Sequence, residues 1–290
     1  MNASVEEIIE KHRKSGSFVE MGDLTVFNLD QGKGEVVLMI HGVPSSSYLY
    51  RKFMGPLEQA GYRGLAVDFP GLGLSARPQD YDYSWSGLTR FLNEYLKEKK
   101  INKFHLVVHD IGGPVGLMLA AQNQDKVKSL TILNTVLYAS KFERPWSMEP
   151  FAIPTLGEIY LATAGRFMLY LMFQMLAIKD SAKVSREEIY AYADLLKGTD
   201  NGAAFLQIMR SFERTPEVEE QCIAAVTSDK YDIQCIWGED DPALKVSEFG
   251  KDFREKARLK AFHQVPGKHF FQEDQYDKIL ALLIPFLKAA

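Results

Sequence analysis

Two carboxylates and one imidazole follow apolar, strand-like segments of the sequence and together could perform a hydrolysis. Asp110 comes after one apolar run, a carboxylate at Asp240 or Asp241 follows a second, and His269 follows a third. A carboxylate can attack carbon as a nucleophile, and an imidazole whose tautomer is held by a second carboxylate can take a proton from water. Because a carboxylate that attacks saturated carbon forms an alkyl ester, these groups predict substitution at an sp3 carbon followed by ester hydrolysis.

The segment around Asp110 predicts a strand, a sharp turn and a helix. Residues 106–108 are apolar and rich in β-branched side chains, Gly112 and Gly113 allow the backbone to turn, and an apolar helical segment follows. Such a turn is a nucleophile elbow, which lifts one side chain above the end of a sheet and close to the positive end of the next helix. The alternative is that Asp110 only caps a helix that begins at Ile111.

Strands and helices alternate along most of the chain. This order predicts the α/β class, with a mostly parallel, twisted sheet of about eight strands and helices on both faces. Residues 136–218 contain helical stretches but no convincing strand, which predicts a helical cap inserted after the sixth strand. We therefore expect one α/β core formed by 1–135 and 219–290, and a cap that is an insertion rather than an independent domain. The predicted strands are 17–21, 24–30, 36–40, 64–68, 106–108, 127–134, 232–237 and 260–265.

Ligands of an open parallel sheet bind at the carboxyl ends of its strands, so the loops after the strands should form the site. Asp241 is preferred over Asp240 because it lies three residues after Gly238. His269 is preferred as the base because it follows the last strand. Two other histidines that follow strands, His41 and His109, are expected to orient loop backbone, and the remaining three, His12, His105 and His263, lie within predicted helices or strands.

Composition excludes several classes of partner. Of 290 residues, 46% are hydrophobic, which is ample for a large core, and 34 basic against 38 acidic residues give a net charge of −4. With no run of like charges, nucleic acid is not expected as a partner.

Cys222 and Cys235 lack metal-ligand spacing and are expected to be buried thiols. No apolar stretch is long enough to span a bilayer and none resembles a signal peptide, which predicts a cytoplasmic protein.

The stretch 167–178 is apolar and rich in methionine. We expect it to be a cap helix buried against the sheet domain, where methionine would suit a pliable pocket wall. A membrane-surface anchor and a dimer face are the alternatives. The sequence does not determine an oligomeric state.

Three motifs resemble the aspartate-nucleophile branch of the α/β-hydrolase superfamily, which contains haloalkane dehalogenases and epoxide hydrolases. They are His41-Gly-Val-Pro-Ser-Ser-Ser-Tyr-Leu-Tyr-Arg51, Val108-His-Asp-Ile-Gly112 and His269-Phe-Phe-Gln-Glu-Asp274. The resemblance extends from about residue 24 to the C-terminus. It implies a triad of Asp110, Asp241 and His269, with Asn134 at the position where some dehalogenases carry the acid. It also implies an oxyanion hole formed by the backbone N–H groups of Val43 and Ile111, a small apolar organic substrate with water, and no metal or organic cofactor.

Two departures from the dehalogenase motifs leave the substrate open. Dehalogenases bind the halide with a Trp directly after the nucleophile, and many add an Asn after His-Gly, whereas this chain has Ile111 and Val43 there. Trp146 in the cap could replace one of these donors. Epoxide hydrolases instead present two cap tyrosines to the epoxide, and the candidates here are Tyr138, Tyr160, Tyr170, Tyr190 and Tyr192. Dehalogenase-like chemistry is the main hypothesis, an epoxide hydrolase is its rival, and a catalytically weak ligand-binding protein is the alternative from another class.

Overall fold

The apolar runs of the sequence form an eight-stranded sheet in the computed structural model, which describes residues 3–144 and 146–290. The order across the sheet is β1-β2-β4-β3-β5-β6-β7-β8, with antiparallel pairing at β1 and β2 and parallel pairing from β4 onward. This confirms the predicted α/β class and mostly parallel sheet. The strands are β1 (Ser17–Met21), β2 (Leu24–Gln31), β3 (Glu35–Ile40), β4 (Tyr62–Val67), β5 (Phe104–Val108), β6 (Val127–Leu133), β7 (Asp232–Gly238) and β8 (Leu259–Val265).

Both faces of the sheet are covered, which explains why its central strands are apolar without alternation. In β3, Leu38 and Ile40 belong to the hydrophobic core on one face, while Val37 and Met39 belong to the core on the other. All four side chains are buried. Because successive residues of a strand point to opposite faces, a strand in this position must be apolar throughout.

The helices form layers on the two sides of this sheet. Helices α3 and α10 pack on α4 against one face, and α2 and α13 pack together against the other. Cys222 of α10 and Cys235 of β7 are buried free thiols, as predicted. The helices are α1 (Val5–Lys14), α2 (Arg51–Gln59), α3 (Trp85–Glu98), α4 (Gly112–Gln122), α5 (Glu149–Ala152), α6 (Leu156–Thr163), α7 (Arg166–Met172), α8 (Arg186–Lys197), α9 (Ala203–Arg210), α10 (Pro216–Thr227), α11 (Lys251–Lys256), α12 (Phe271–Asp274) and α13 (Tyr276–Ala289).

The segment between β6 and β7 is helical wherever it has regular structure among the described residues. It contains α5 to α10, and α7 continues as a π-helix over Phe173–Ala177. The predicted cap boundary at 218 falls inside α10, which packs on α4 of the core.

The apolar stretch 167–178 has two different sides. Leu169 and Phe173 are buried, as predicted, but Phe167 is 60% exposed and Met175 is 58% exposed. The expectation of a buried cap helix therefore holds for the side with Leu169 and Phe173 and is wrong for the side with Phe167 and Met175. Among the described residues, no single helix is long and apolar enough to cross a membrane, and the pair 156–163 and 166–177 satisfies that test only together, across a bend of 100°.

A buried ionic network joins the cap to the core behind the site. The fully buried carboxylate of Glu273 in α12 accepts a hydrogen bond of 2.9 Å from Nη2 of Arg51 in α2 and a further bond from Arg51 Nη1. Lys52 Nζ lies 3.1 Å from Glu273 Oε2, and the Tyr192 hydroxyl of α8 donates to the same carboxylate. Arg51 also donates to Glu188 of α8 at 2.8 Å. Because α12 directly follows the segment that carries His269, this network holds that segment in place relative to α2 and α8.

We expect Glu273→Gln to lower the free energy of unfolding by about 3 kcal/mol, because it leaves Arg51 and Lys52 with less compensating charge in a buried setting. Urea denaturation of the variant and the wild type measures this. The matched control is Lys251→Gln, which breaks an exposed pair with Glu255 and should change stability by less than about 0.5 kcal/mol. Equal, small effects of the two substitutions would contradict a structural role for the network.

Candidate active site

The elbow that carries Asp110 is a strained turn between β5 and α4. Asp110 has a φ of +52°, in the left-handed region that side chains other than glycine rarely adopt. Its N–H donates to the Asn134 carbonyl at 3.0 Å, and its carbonyl accepts from Thr135 Oγ1 at 2.5 Å and from the Gly113 N–H at 2.8 Å. A Cβ at Gly42 would lie 2.3 Å from Asp110 Cβ. The loops after β3 and β6 therefore pack against this turn and stabilise its conformation.

The Asp110 carboxylate does not cap the helix that follows it. Helix α4 has no side-chain cap hydrogen bond among the described residues, and its N-cap position is Ile111. Asp110 Oδ1 instead accepts from the N–H of Val43, at 3.3 Å, in the loop after β3. The alternative interpretation of Asp110 as a helix cap is therefore wrong, and its carboxylate remains available to the cavity beside it.

His269 lies between two carboxylates. Its Nδ1 is 2.7 Å from Asp241 Oδ2, and its Nε2 is 3.8 Å from Asp110 Oδ1. The fold therefore brings together the three side chains that the sequence placed in separate loops. Asp240 faces elsewhere, since its carboxylate pairs with Lys179 at 2.5 Å and accepts from the Gly267 N–H at 3.0 Å.

The Asp241 carboxylate is held in one orientation. Its Oδ1 accepts from the backbone N–H groups of Ala243, at 2.8 Å, and Leu244, at 2.9 Å. Its Oδ2 accepts from Asn134 Nδ2 at 2.7 Å as well as from His269. Asn134 in turn accepts from the Gly238 N–H at 2.7 Å, so it connects the ends of β6 and β7. These hydrogen bonds fix the orientation of the Asp241 carboxylate, and one of them engages His269 Nδ1. Nε2 is therefore the imidazole nitrogen that is left to react.

The charges of the three groups are coupled. Burial by itself lowers the pKa of an imidazole, but the carboxylates of Asp241 and Asp110 outweigh it and raise the pKa of His269 to about 10. Burial would raise the pKa of Asp241, but the charge of His269 and its hydrogen bonds with His269 and Asn134 hold that pKa near 2. The imidazole therefore keeps its proton while both carboxylates are charged. A reaction that neutralised Asp110 would lower the pKa of His269.

Two further histidines support the loops around the site, as the sequence predicted. His41 Nε2 accepts from the Phe69 N–H at 3.1 Å, and its Nδ1–H donates to the Gly42 carbonyl at 2.9 Å. His109 Nε2–H donates to the backbone carbonyl of His269 at 2.9 Å. Burial lowers the pKa of both imidazoles, that of His41 to about 4. Both rings are therefore neutral groups that orient backbone.

A cavity of about 280 Å³ opens beside Asp110 and His269, between the sheet domain and the cap. Val43 and Ile111, the predicted oxyanion-hole residues, also line it. Most of its wall is apolar. The apolar cap side chains include Phe142, Met148, Phe151, Leu169, Met172, Phe173, Leu176, Leu196, Phe205, Met209 and Phe212.

The predicted substrate-binding residues of the cap differ in position. Trp146 lines the cavity but is 77% exposed, so it lies at the rim rather than deep inside. Tyr138 does not line the cavity, and its ring lies 4.2 Å from Lys141 Nζ instead. No tyrosine is among the described residues of the cavity wall. Within the described part of the chain, no cluster of His, Cys, Asp or Glu could hold a metal ion.

Sequence reasoning missed three polar residues of the cavity wall, Glu143, Arg144 and Ser147. One feature of the sequence could have indicated Arg144. It is a basic residue two positions before Trp146, which was itself a candidate for substrate contact. An isolated basic residue in a loop is usually solvated, and only the folded cap places this one in the cavity wall.

Comparison with known proteins agrees with this architecture. A family model described as the alpha/beta hydrolase fold matches residues 35–178. A haloalkane dehalogenase of Psychrobacter cryohalolentis is 28% identical over 289 residues, which covers 92% of this chain and 89% of that protein. The solved structure of the haloalkane dehalogenase DatA from Agrobacterium tumefaciens matches with a TM-score of 0.79 at 23% identity, covering 94% of this chain and 96% of that one. The epoxide hydrolase CorEH matches with a TM-score of 0.77 at 18% identity, covering 94% and 98%. The chain thus belongs to the α/β-hydrolase superfamily and is a hydrolase similar to haloalkane dehalogenases and epoxide hydrolases.

Proposed function

We propose that this hydrolase cleaves carbon–halogen bonds through a covalent alkyl ester on Asp110. The observation that carries the proposal is the position of His269, with Nε2 3.8 Å from Asp110 Oδ1 and Nδ1 2.7 Å from Asp241 Oδ2. In the first step an oxygen of Asp110 attacks a saturated carbon of the substrate. The carbon–halogen bond breaks, and the halide leaves with its electron pair.

In the second step water hydrolyses the ester. Ester formation removes the negative charge of Asp110, which lowers the pKa of His269. His269 then releases its Nε2 proton to solvent, and the neutral Nε2 takes a proton from water. The hydroxide formed attacks the ester carbonyl of Asp110. The Val43 N–H, already 3.3 Å from Asp110 Oδ1, and the Ile111 N–H at the start of α4 would stabilise the oxyanion. As this intermediate collapses, the bond between the Asp110 carbonyl carbon and the alkoxy oxygen breaks, and the leaving oxygen takes the proton held by His269. The acid proton of Asp110 then passes to His269, which restores the carboxylate beside a protonated imidazole.

The cavity supports an organic substrate with an apolar body, because most of the lining side chains are apolar. It gives less support to the epoxide hydrolase alternative, since no described residue of the wall is a tyrosine that could protonate an epoxide oxygen. The ligand-binding alternative is disfavoured by the hydrogen bonds that hold Asp241 and His269, because a protein that only binds has no use for an oriented base beside a carboxylate.

The test is to incubate the purified protein with a panel of bromoalkanes and aryl epoxides while halide release and diol formation are followed in parallel. We expect halide release that falls to the uncatalysed rate in the Asp110→Ala variant. Diol formation without halide release would overturn the dehalogenase proposal in favour of an epoxide hydrolase. Tight, saturable binding of bromoalkanes without turnover would favour the ligand-binding alternative.

A further inference from the structure

The cavity wall contains a guanidinium group that forms no ion pair with any described residue. Arg144 lines the same cavity as Asp110 and His269. No carboxylate oxygen of the described residues lies within 4.0 Å of its nitrogens, and the carboxylate whose charge acts on it, Glu149, does so from farther away. Its Nη2 donates to the Met209 carbonyl at 2.7 Å, and its central carbon lies 4.9 Å from the centre of the Phe212 ring. Its Nε is buried and has no hydrogen-bond partner among the described residues.

A second donor in the same wall is also unused. Ser147 is 3% exposed, and its Oγ has no hydrogen-bond partner among the described residues. Buried polar groups are normally hydrogen-bonded, and a buried charge is normally paired, because each loses its hydration when it leaves water. Arg144 is a half-buried cation in a mostly apolar wall, and Ser147 close to it in the sequence is a buried hydroxyl without a partner among the described residues, so a ligand with a negative charge would complete the site.

The shape of the donors favours a carboxylate over a single-atom anion. A guanidinium presents parallel N–H groups in a planar fork that matches the two oxygens of a carboxylate. Arg144 Nη1 has no hydrogen-bond partner among the described residues, whereas Nη2 is engaged and Nε is buried, so the end of the guanidinium is the part open to a ligand. Burial lowers the pKa of Arg144 from its usual value, but an arginine side chain stays cationic in proteins. Glu143 also lines the cavity, but its side chain is exposed, so it lies at the rim.

We propose that Arg144 and Ser147 form a carboxylate-binding subsite in the active-site cavity, which selects substrates that carry a carboxylate at the end of an apolar chain. The apolar wall holds the chain, the subsite holds its carboxylate, and the reactive carbon faces Asp110. The carboxylate keeps its charge throughout, and the halide leaves from the other end. This inference depends on the proposed function for its reaction but not for its binding step.

The binding step is tested without turnover by calorimetric titration of the full-length protein with hexanoate, an unreactive carboxylate. We expect saturable binding that Arg144→Gln weakens at least tenfold and that Arg144→Lys, which keeps the charge but not the fork, restores in part. Ser147→Ala should weaken binding about threefold to tenfold. The matched control is Arg258→Gln at an exposed position, which should leave the affinity unchanged. Thermal unfolding of each variant verifies that it is folded.

Selectivity is tested with pairs of substrates that differ only in the carboxylate, such as 6-bromohexanoate and 1-bromohexane, together with shorter members of the same series. We expect the ratio of kcat/KM for the acid to that for the bromoalkane to fall at least tenfold in Arg144→Gln and to stay constant in Arg258→Gln. Hexanoate binding that does not depend on Arg144, or bromide that competes equally well for the Arg144 site, would overturn the carboxylate assignment.

The two proposals fail in different ways. Arg144-dependent binding of hexanoate together with no ester on Asp110 from any bromoalkane would leave the subsite standing and refute the proposed reaction. An Asp110 ester formed from 1-bromohexane, together with hexanoate binding that is indifferent to Arg144, would do the reverse.

Discussion

Replacing His269 with Gln should stop the reaction after its first step and leave the alkyl group attached to Asp110. Gln cannot take a proton from water, while the attack by Asp110 needs no base, so the ester should form and persist. We expect one equivalent of halide per protein molecule, followed by a steady rate at least 10³-fold below that of the wild type, in line with the usual contribution of a general base. Intact-protein mass spectrometry should find the added mass of one alkyl group, located on Asp110 after proteolysis.

The matching control is the double variant Asp110→Ala/His269→Gln, which should release no halide and gain no mass. An added alkyl group on another residue, or a His269→Gln variant that turns over at the wild-type rate, would refute the covalent mechanism. Because His269 contacts Phe270 and His109 by ring packing as well as Asp241, circular dichroism of the variant should accompany the mass measurement.

Asp241→Asn should lower turnover by about 10³-fold to 10⁴-fold with little change in the shape of the site. The Asn oxygen can still accept from the Ala243 and Leu244 N–H groups, but its amide nitrogen would then face Asn134 Nδ2 and His269 Nδ1. A donor at that position favours the tautomer in which Nδ1 accepts and Nε2 carries the proton. That tautomer cannot take a proton from water at Nε2, which is the effect of the equivalent substitution in serine protease triads.

The adjacent Asp240→Asn is the matched control for Asp241→Asn, since Asp240 pairs with Lys179 away from the cavity. It should keep at least half of the wild-type activity. Equal losses in the two variants would contradict the assignment of Asp241 as the orienting acid.

The pH dependence of stability should report the same pair. The folded state raises the pKa of His269 to about 10 from an unfolded value near 6.5, so this stabilisation is complete below about pH 6.5 and is lost as the pH rises through about 10. The difference in unfolding free energy between the wild type and Asp241→Asn should therefore shrink as the pH is raised from 6.5 to 10. Urea denaturation at half-unit steps measures it, and a difference that grows over this range would contradict the ion pair.

The fold and the core of the site were predictable from the sequence because they depend on local patterns. Short apolar runs rich in β-branched residues and bounded by turn residues favour strands that are covered on both faces, and the glycines after Asp110 permit the strained turn. The parallel order of strands then brings the loops after β5 and β8 to the same edge of the sheet, so Asp110 and His269 were predicted to share one site.

The choice between Asp240 and Asp241 was harder to predict from the sequence. Adjacent side chains in a loop point in different directions, and only the hydrogen bonds of the folded loop decide which one faces His269. The Ala243 and Leu244 N–H groups and Asn134 make that decision for Asp241. The sequence preferred the same residue from its distance to Gly238, but it contained no information on these partners.

The sequence by itself determined the sheet, the elbow and the order of the candidate catalytic groups, since each follows from the periodicity of neighbouring residues. Only the tertiary structure decided which cap residues reach the cavity. The helices of the cap cross one another at angles set by packing between distant side chains, so their hydrophobic pattern does not determine which side of each helix is covered. For that reason Tyr138 lies outside the cavity and Phe167 is exposed. Arg144, which no pattern in the sequence distinguishes, lines the cavity wall with its guanidinium beside the Phe212 ring.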